Sequence, residues 1–295
     1  MTDYFNIYYI VCVIWYVIFI GAIFYLSVVD SMPYTPKFKD KVYTKIPSKL
    51  NPGELSNLMY KKMSSDVFTA TIMFLVKKGI LSLKRTKDDF VITLEKPEAG
   101  LSHSQQLVVD ILIKDMGEKG KVTFKQIEKY PKSNQNCSEF LLNYQMWNKM
   151  IIKESNEKHF YEDKTEYNQV KAIRLWGILL FIINILAGFH SLLGYFIIIP
   201  ACFIVLYFYK IYKRTIDANE EYMKWLAFKR YLNNIEKYEY KKEDIGNYII
   251  YGLILKITDL EKKLNDFHCV EKLNNLINHN VIMATLRGNR SIKFR

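Results

Sequence analysis

Two stretches without a formal charge dominate the pattern of apolar and polar positions: Ile7 to Val29 and Leu175 to Tyr209. A single helix over the second would reach ~50 Å, well beyond a ~30 Å hydrocarbon core. Gly188, His190, Ser191 and Gly194 interrupt it midway. Since a bilayer admits only helices or closed barrels, this stretch predicts two short membrane-spanning helices joined by a tight turn. The first stretch is long enough to span once. Only Asp3 is charged ahead of it, which favours an uncleaved anchor over a signal peptide with its basic leading region.

Between these stretches the pattern changes to alternating short elements. Asn51-Pro52-Gly53-Glu54 reads as an N-cap, a first-turn proline and an acid at the third position, starting a helix to about Lys62. Ser65 or Asp66 caps a second helix with Ala70, Phe74 and Leu75 on its apolar side, ended by Gly79. ILSLKR and FVITLE then alternate around Thr86 to Asp89 as a β-hairpin. Helix, helix, hairpin is a winged-helix order.

The order recurs: a helix from Ser102 to about Met116, a short VTF strand, helices near Lys125 to Lys129 and Ser138 to Lys149, then IIKES and KHFYED able to pair around Asn156. Further on, Thr215 to Leu232 and Ile245 to Leu264 read as amphipathic helices, and the end from His279 as a short basic tail.

The expected fold is therefore a membrane one, mainly α with small β-hairpins. It comprises three transmembrane helices plus a cytoplasmic α+β lobe of tandem winged-helix-like units. The expected boundaries are an anchor over 1–29, a linker over 30–50, units over 51–98 and 99–171, a helical hairpin over 172–212, amphipathic helices over 213–268 and a tail over 269–295. Basic residues orient it. None precedes Ile7, whereas Lys37, Lys39, Lys41, Lys45 and Lys49 follow Val29; Lys164, Lys171 and Arg174 precede the second stretch, and Lys210, Lys213 and Arg214 follow it. The positive-inside rule puts the amino terminus and the turn outside and both soluble lobes in the cytoplasm of a bacterial cell.

Composition alters this picture little. The net charge of +12 rests mostly on lysine in a chain also rich in Ile, Asn and Tyr. That is the signature of AT-rich coding, so the charge is weak support for a nucleic-acid partner. The four cysteines stand apart without CxxC or Cys/His zinc spacing, and His103, His159, His190, His268 and His279 are scattered. The glycosylation-like triplets at Asn136 and Asn289 carry no weight. No HExxH, phosphate-binding glycine loop or GxSxG motif is present. Neither a cofactor, a metal nor an enzymatic activity is expected.

Three blocks carry a resemblance. They are IPSKLNPGELSNLMYKKMSSDVFTATIMFLVKKGILSLKR, the paired apolar runs with their short turn, and RTIDANEEYMKWLAFKRYL followed by NYIIYGLILKITD. Over about residues 30 to 268 the chain resembles the carboxy-terminal part of the YciQ-like family of predicted bacterial membrane proteins. That family commonly carries an extracytoplasmic β-rich domain ahead of its first span, and the expectation from this sequence is a chain without it. The resemblance implies architecture and no chemistry.

The candidate interaction surface is Thr69, Thr71, Lys77 and Lys78 on the second helix with Lys84 and Arg85 on the hairpin. It could meet protein partners or, as in helix-turn-helix proteins, DNA. Asp66 at the start and lysines only at the far end suit the helix dipole without any ligand. Tyr222, Trp225, Phe228, Lys229 and Arg230 are candidates for the membrane interface or, equally, for packing on the lobe. Asn184 and His190 are the polar positions of the second apolar stretch, and Pro200 is a kink point. The expected function is a membrane-anchored scaffold presenting winged-helix-like domains to protein partners, the alternative a membrane-tethered DNA-binding regulator. The lipid bilayer is a partner in either case.

Overall fold

A computed structural model describes residues 34–96, 100–163, 212–258, 260–264 and 268–292, with isolated positions between 14 and 21 and between 175 and 182. It falls into two compact units, one of residues 1–36 and 159–219, the other of 37–158 and 220–295.

The larger unit opens with α1 (Pro52–Tyr60) and α2 (Ser65–Lys77). The cap of α1 is the one its sequence specifies: Asn51 Oδ1 accepts from Glu54 N at 2.8 Å and Glu54 Oε2 accepts from Asn51 N at 2.9 Å. β1 (Leu81–Arg85) and β2 (Phe90–Leu94) pair antiparallel with Leu83 opposite Ile92. Thr86 N donates to Asp89 O at 2.7 Å across their turn. α3 (His103–Asp110) runs on into a π-helical turn over Ile111–Asp115. β3 (Lys121–Thr123) then pairs with β2, Ile92 opposite Val122. α4 (Phe124–Lys129) and the long α5 (Asn134–Asn156) follow.

After the second apolar stretch come α6 (Ile216–Asn233), α7 (Ile245–Leu255), α8 (Leu260–Leu264) and α9 (His268–Ile292). α2 lies at the centre of this unit, packed by α1, α3, α7, α9 and β1. Its residues Phe68, Ile72 and Leu75 are fully buried, and the core continues through Phe140, Trp147, Ile127 and Leu273. A second aromatic nucleus joins α6 to α7. Trp225 meets Tyr251 at 4.8 Å between ring centroids and Phe228 at 5.6 Å, and Phe228 meets Tyr248 at 6.1 Å.

In the smaller unit, β4 (Tyr161–Asp163) and β5 (Tyr212–Arg214) form a separate antiparallel ladder.

Several expectations are corrected. Among the described residues no helix is long and apolar enough to cross a membrane, and the fold class they support is α+β. Apart from isolated positions, the three transmembrane helices expected over 7–29 and 175–209 lie outside the described residues, as do Asn184, His190 and Pro200. The two winged-helix-like units are not separate either: β3 of the second completes the sheet of the first, and one core serves both.

IIKES is the last part of α5, where Ile151 and Ser155 are buried at helical spacing, so KHFYED pairs with β5 instead. The helix expected to run on from Ile245 stops at Lys256, which takes a left-handed conformation at φ 57°. The expected basic tail is α9, whose Leu273, Ile277 and Ala284 enter the core.

Candidate functional site

The smaller unit gathers the chain positions that border both charge-free stretches. KHFYED and YKR meet because Tyr161 pairs with Arg214 and Asp163 with Tyr212. Thr215 extends the register, its N donating to Phe160 O at 3.1 Å and its Oγ1 to His159 O at 3.2 Å. The same hydroxyl accepts from Ala218 N at 3.3 Å, capping the start of α6.

Tyr34, the first described residue after the amino-terminal stretch, is fastened to this ladder. Its hydroxyl donates to the Glu162 carboxylate at 3.3 and 3.4 Å, and its carbonyl accepts from Asn219 Nδ2 at 2.5 Å. The Lys213 ammonium lies 4.0 Å from the Tyr34 ring centroid, and the Arg214 guanidinium 5.7 Å from that of Tyr161. Residues from the flanks of both charge-free stretches are thus held at one clasp.

In the larger unit the expected linker is an extended strap along α6. Lys37 N and Phe38 N donate to the Glu220 carboxylate, the second at 3.0 Å. Ser48 Oγ donates to Glu221 and accepts from Trp225 Nε1 at 3.3 Å. Tyr251 donates from its hydroxyl to Leu50 O at 3.1 Å, and Arg230 Nη1 donates to Lys41 O at 3.2 Å. The backbone donor of Lys37, ahead of the opposing effect of burial, leaves the Glu220 carboxyl below its ordinary pKa.

The candidate surface divides. Thr69 and Thr71 are buried. Thr69 Oγ1 donates to Ser65 O at 3.1 Å and to Asn274 Oδ1 at 2.9 Å, and Thr71 Oγ1 to Val67 O at 2.8 Å. Lys77, Lys78, Lys84 and Arg85 stay exposed. Lys77 reaches Asn247 of α7; burial lowers its pKa, with Asp244 pulling the other way. Lys78 lies 4.5 Å from the Phe74 ring, Lys84 3.9 Å from Glu95, and Arg85 6.0 Å from the Phe90 ring. The sequence SDVFTATIMFLVK buries α2 continuously from Val67 to Met73, and a helix buried all round belongs inside.

Of the candidates for the membrane interface, Trp225 and Phe228 are fully buried in the α6–α7 nucleus, so the packing alternative holds for them. Tyr222 and Lys229 are half-buried and Arg230 is exposed on the strap.

Burial pushes Tyr251 up to about 12 and Tyr144 and Tyr248 further, Tyr248 and Tyr231 being hydrogen-bonded to each other. Among the described residues no group of three or more His, Cys, Asp or Glu side chains is placed to hold a metal ion.

The clasp was not predicted as a site. Its parts, Tyr34, Glu162, Lys213 and Arg214, are ordinary flanking residues until the ladder unites them, although the positive-inside count singled out Lys213 and Arg214.

Residues 39–255 match the family described as "Predicted membrane protein (DUF2207) C-terminal domain". Comparison with curated proteins and with solved structures finds no match.

Proposed function

Because the chain belongs to this family of predicted membrane proteins, we propose that it is a membrane-anchored docking protein: the unit of 37–158 and 220–295 offers its surface to protein partners at the cytoplasmic face of a bacterial membrane. The clasp carries this reading. It ties the residue that follows one charge-free stretch to those that border the other. Ile14 and Val17 in the first stretch, and Leu175 and Ile182 in the second, are exposed. Lysines and arginines flanking both stretches favour the cytoplasmic side for the folded unit. Anchoring raises the local concentration of the docking surface around other membrane proteins.

We read the chain as a binding protein rather than an enzyme. The tyrosines with raised pKa belong to packed aromatic nuclei, where a proton held more tightly serves no acid–base step.

Thiol labelling of Lys84→Cys in intact cells tests the sidedness. Protection from an impermeant reagent until lysis is expected, and labelling before lysis would overturn the cytoplasmic assignment. A photo-crosslinker at position 84 tests docking: discrete protein adducts are expected in membranes, and lipid adducts alone would sink the reading.

A membrane-tethered DNA-binding regulator is the weaker reading, because the threonines of α2 face inward and only the lysines and Arg85 remain for a duplex. DNA titration of the whole chain across salt separates the two, since phosphate contacts release counterions and steepen the dependence.

A further inference from the structure

The strap along α6 carries a charge pattern that its own packing does not use. Lys37, Lys39, Lys41, Lys45 and Lys49 are all exposed, whereas Phe38, Val42, Ile46 and Ser48 are half-buried and Leu50 is buried. Successive side chains of an extended backbone turn to opposite faces, so the lysines gather on the outer one. The inner face is fixed to α6 and α7. Lys37 N and Phe38 N donate to Glu220, Ser48 Oγ to Glu221, Arg230 Nη1 to Lys41 O and the Tyr251 hydroxyl to Leu50 O. Glu220 and Glu221 are thus taken up by the strap's backbone and by Ser48. Between Lys37 and Leu50 the only acid is Asp40. Among the described residues no ion pair engages Lys39, Lys41, Lys45 or Lys49. Arg230, exposed beside Lys41, adds a further cation.

A count of positive charges is enough to orient a membrane span, and that signal needs no fixed conformation. Here the conformation is fixed, and alternate lysines stand ~7 Å apart along it. Lys37 follows Val29 by eight residues, at most ~29 Å of chain. The strap therefore begins close to the end of the first charge-free stretch.

We propose that the strap is a binding site for the headgroups of acidic phospholipids. Lys39, Lys41, Lys45, Lys49 and Arg230 engage their phosphates and seat the larger unit against the cytoplasmic leaflet. The proposal rests on the membrane-anchored reading for the presence of a bilayer. An anionic leaflet attracts a basic segment beside it, and the attraction fades within a Debye length of ~8 Å. Duplex DNA also offers phosphates, but a bilayer is the polyanion that anchoring places next to the strap.

Lysine acylation by an uncharged reagent tests this on the full chain in nanodiscs of phosphatidylcholine, with or without phosphatidylglycerol. A surface potential of about −30 mV concentrates protons about threefold and lowers the free-amine fraction by the same factor. Lys39, Lys41, Lys45 and Lys49 are expected to react about threefold more slowly in the anionic discs, and high salt to shrink the difference. Lys84, Lys87 and Lys121 of the β1–β3 sheet are the internal controls and are expected to keep their rates. Equal rates at the strap, or equal slowing of both sets, would overturn the proposal and leave the anchor standing. A chain that does not enter phosphatidylcholine discs would overturn the anchor, and the proposal with it. Slowing of the strap lysines by duplex DNA but not by phosphatidylglycerol would assign the strap to nucleic acid and overturn the lipid site.

A triple variant, Lys39→Gln, Lys41→Gln and Lys45→Gln, gives an independent measurement with spin-labelled lipids. The unmodified chain is expected to select phosphatidylglycerol over phosphatidylcholine at its boundary. The variant is expected to lose most of that selectivity, since each lysine near the surface contributes about fivefold. Unchanged selectivity would overturn the proposal.

Discussion

Lys213 holds its ammonium 4.0 Å from the ring centroid of Tyr34, whose hydroxyl donates to the Glu162 carboxylate opposite Lys213 in the ladder. One tyrosine thus engages both members of a cross-strand pair of opposite charge. Between half-buried partners such as these, a cation–π contact is worth on the order of 1 kcal/mol. Tyr34→Phe keeps the ring and loses the hydroxyl, whereas Tyr34→Ala loses both. Trypsin cleavage after Lys37 and Lys39 is expected to accelerate clearly for Tyr34→Ala and slightly for Tyr34→Phe. Equal cleavage of all three proteins would remove Tyr34 from the clasp.

Phe68 and Trp147 meet edge to face with centroids 4.9 Å apart, both fully buried. Trp147→Ala or Phe68→Ala should cost about 3–5 kcal/mol. Thr69→Ala, which removes a hydroxyl bridging α2 to Asn274, should cost roughly 1 kcal/mol. Thermal melts of the three variants are expected to follow that order.

Lys119 and Gly120 both have positive φ, at 51° and 77°, between Glu118 and Lys121, which exchange backbone hydrogen bonds at 2.8 and 3.0 Å. This is a two-residue hairpin turn with a residue poorly suited to its first position. Lys119→Asn supplies the preferred Asn-Gly and is expected to raise stability by about 0.5–1 kcal/mol. An unchanged or lower denaturant midpoint would refute this.

The Glu220 carboxyl sits below its ordinary pKa because the strap amides donate to its charged form. The unfolded chain therefore takes up this proton first as pH falls. The strap's contribution is complete above the ordinary glutamate range of about 4.3 and is lost as pH drops through the lower folded value. Amide exchange at Lys37 and Phe38 is expected to speed up there relative to the intrinsic rate, and Glu220→Gln should weaken the pH dependence of that protection.

Tyr251, raised to about 12, and Tyr144 and Tyr248 above it act in the opposite direction. An acid with a raised folded pKa contributes stability below its unfolded value of about 10 and loses it as pH rises towards the folded one. Absorbance titration at the phenolate band is expected to show a late set of tyrosines that ionise together with unfolding.

Local signals were the legible ones. The cap at Asn51, the hairpin around Thr86 to Asp89 and the helix from Ile216 follow from short-range chemistry and appear as read. The same helix–helix–hairpin order suits a winged helix, and the exposure expected for Thr69 and Thr71 came from that likeness. The apolar ring Val67, Phe68, Ile72, Met73 and Leu75 argued for burial. α9 is not evident from sequence because Arg287, Arg290, Lys293 and Arg295 give the end the character of a basic tail, although its three-four spacing is present. β4 and β5 pair across the residues from 164 to 211, a distance over which no two-residue alternation identifies a partner.

The position of α9 in the chain also bears on biosynthesis. Translation delivers both charge-free stretches before Leu273, Ile277 and Ala284, the last described contributors to the core. The nascent chain therefore carries α2 and α5 with their α9-facing side uncovered until that helix has been made.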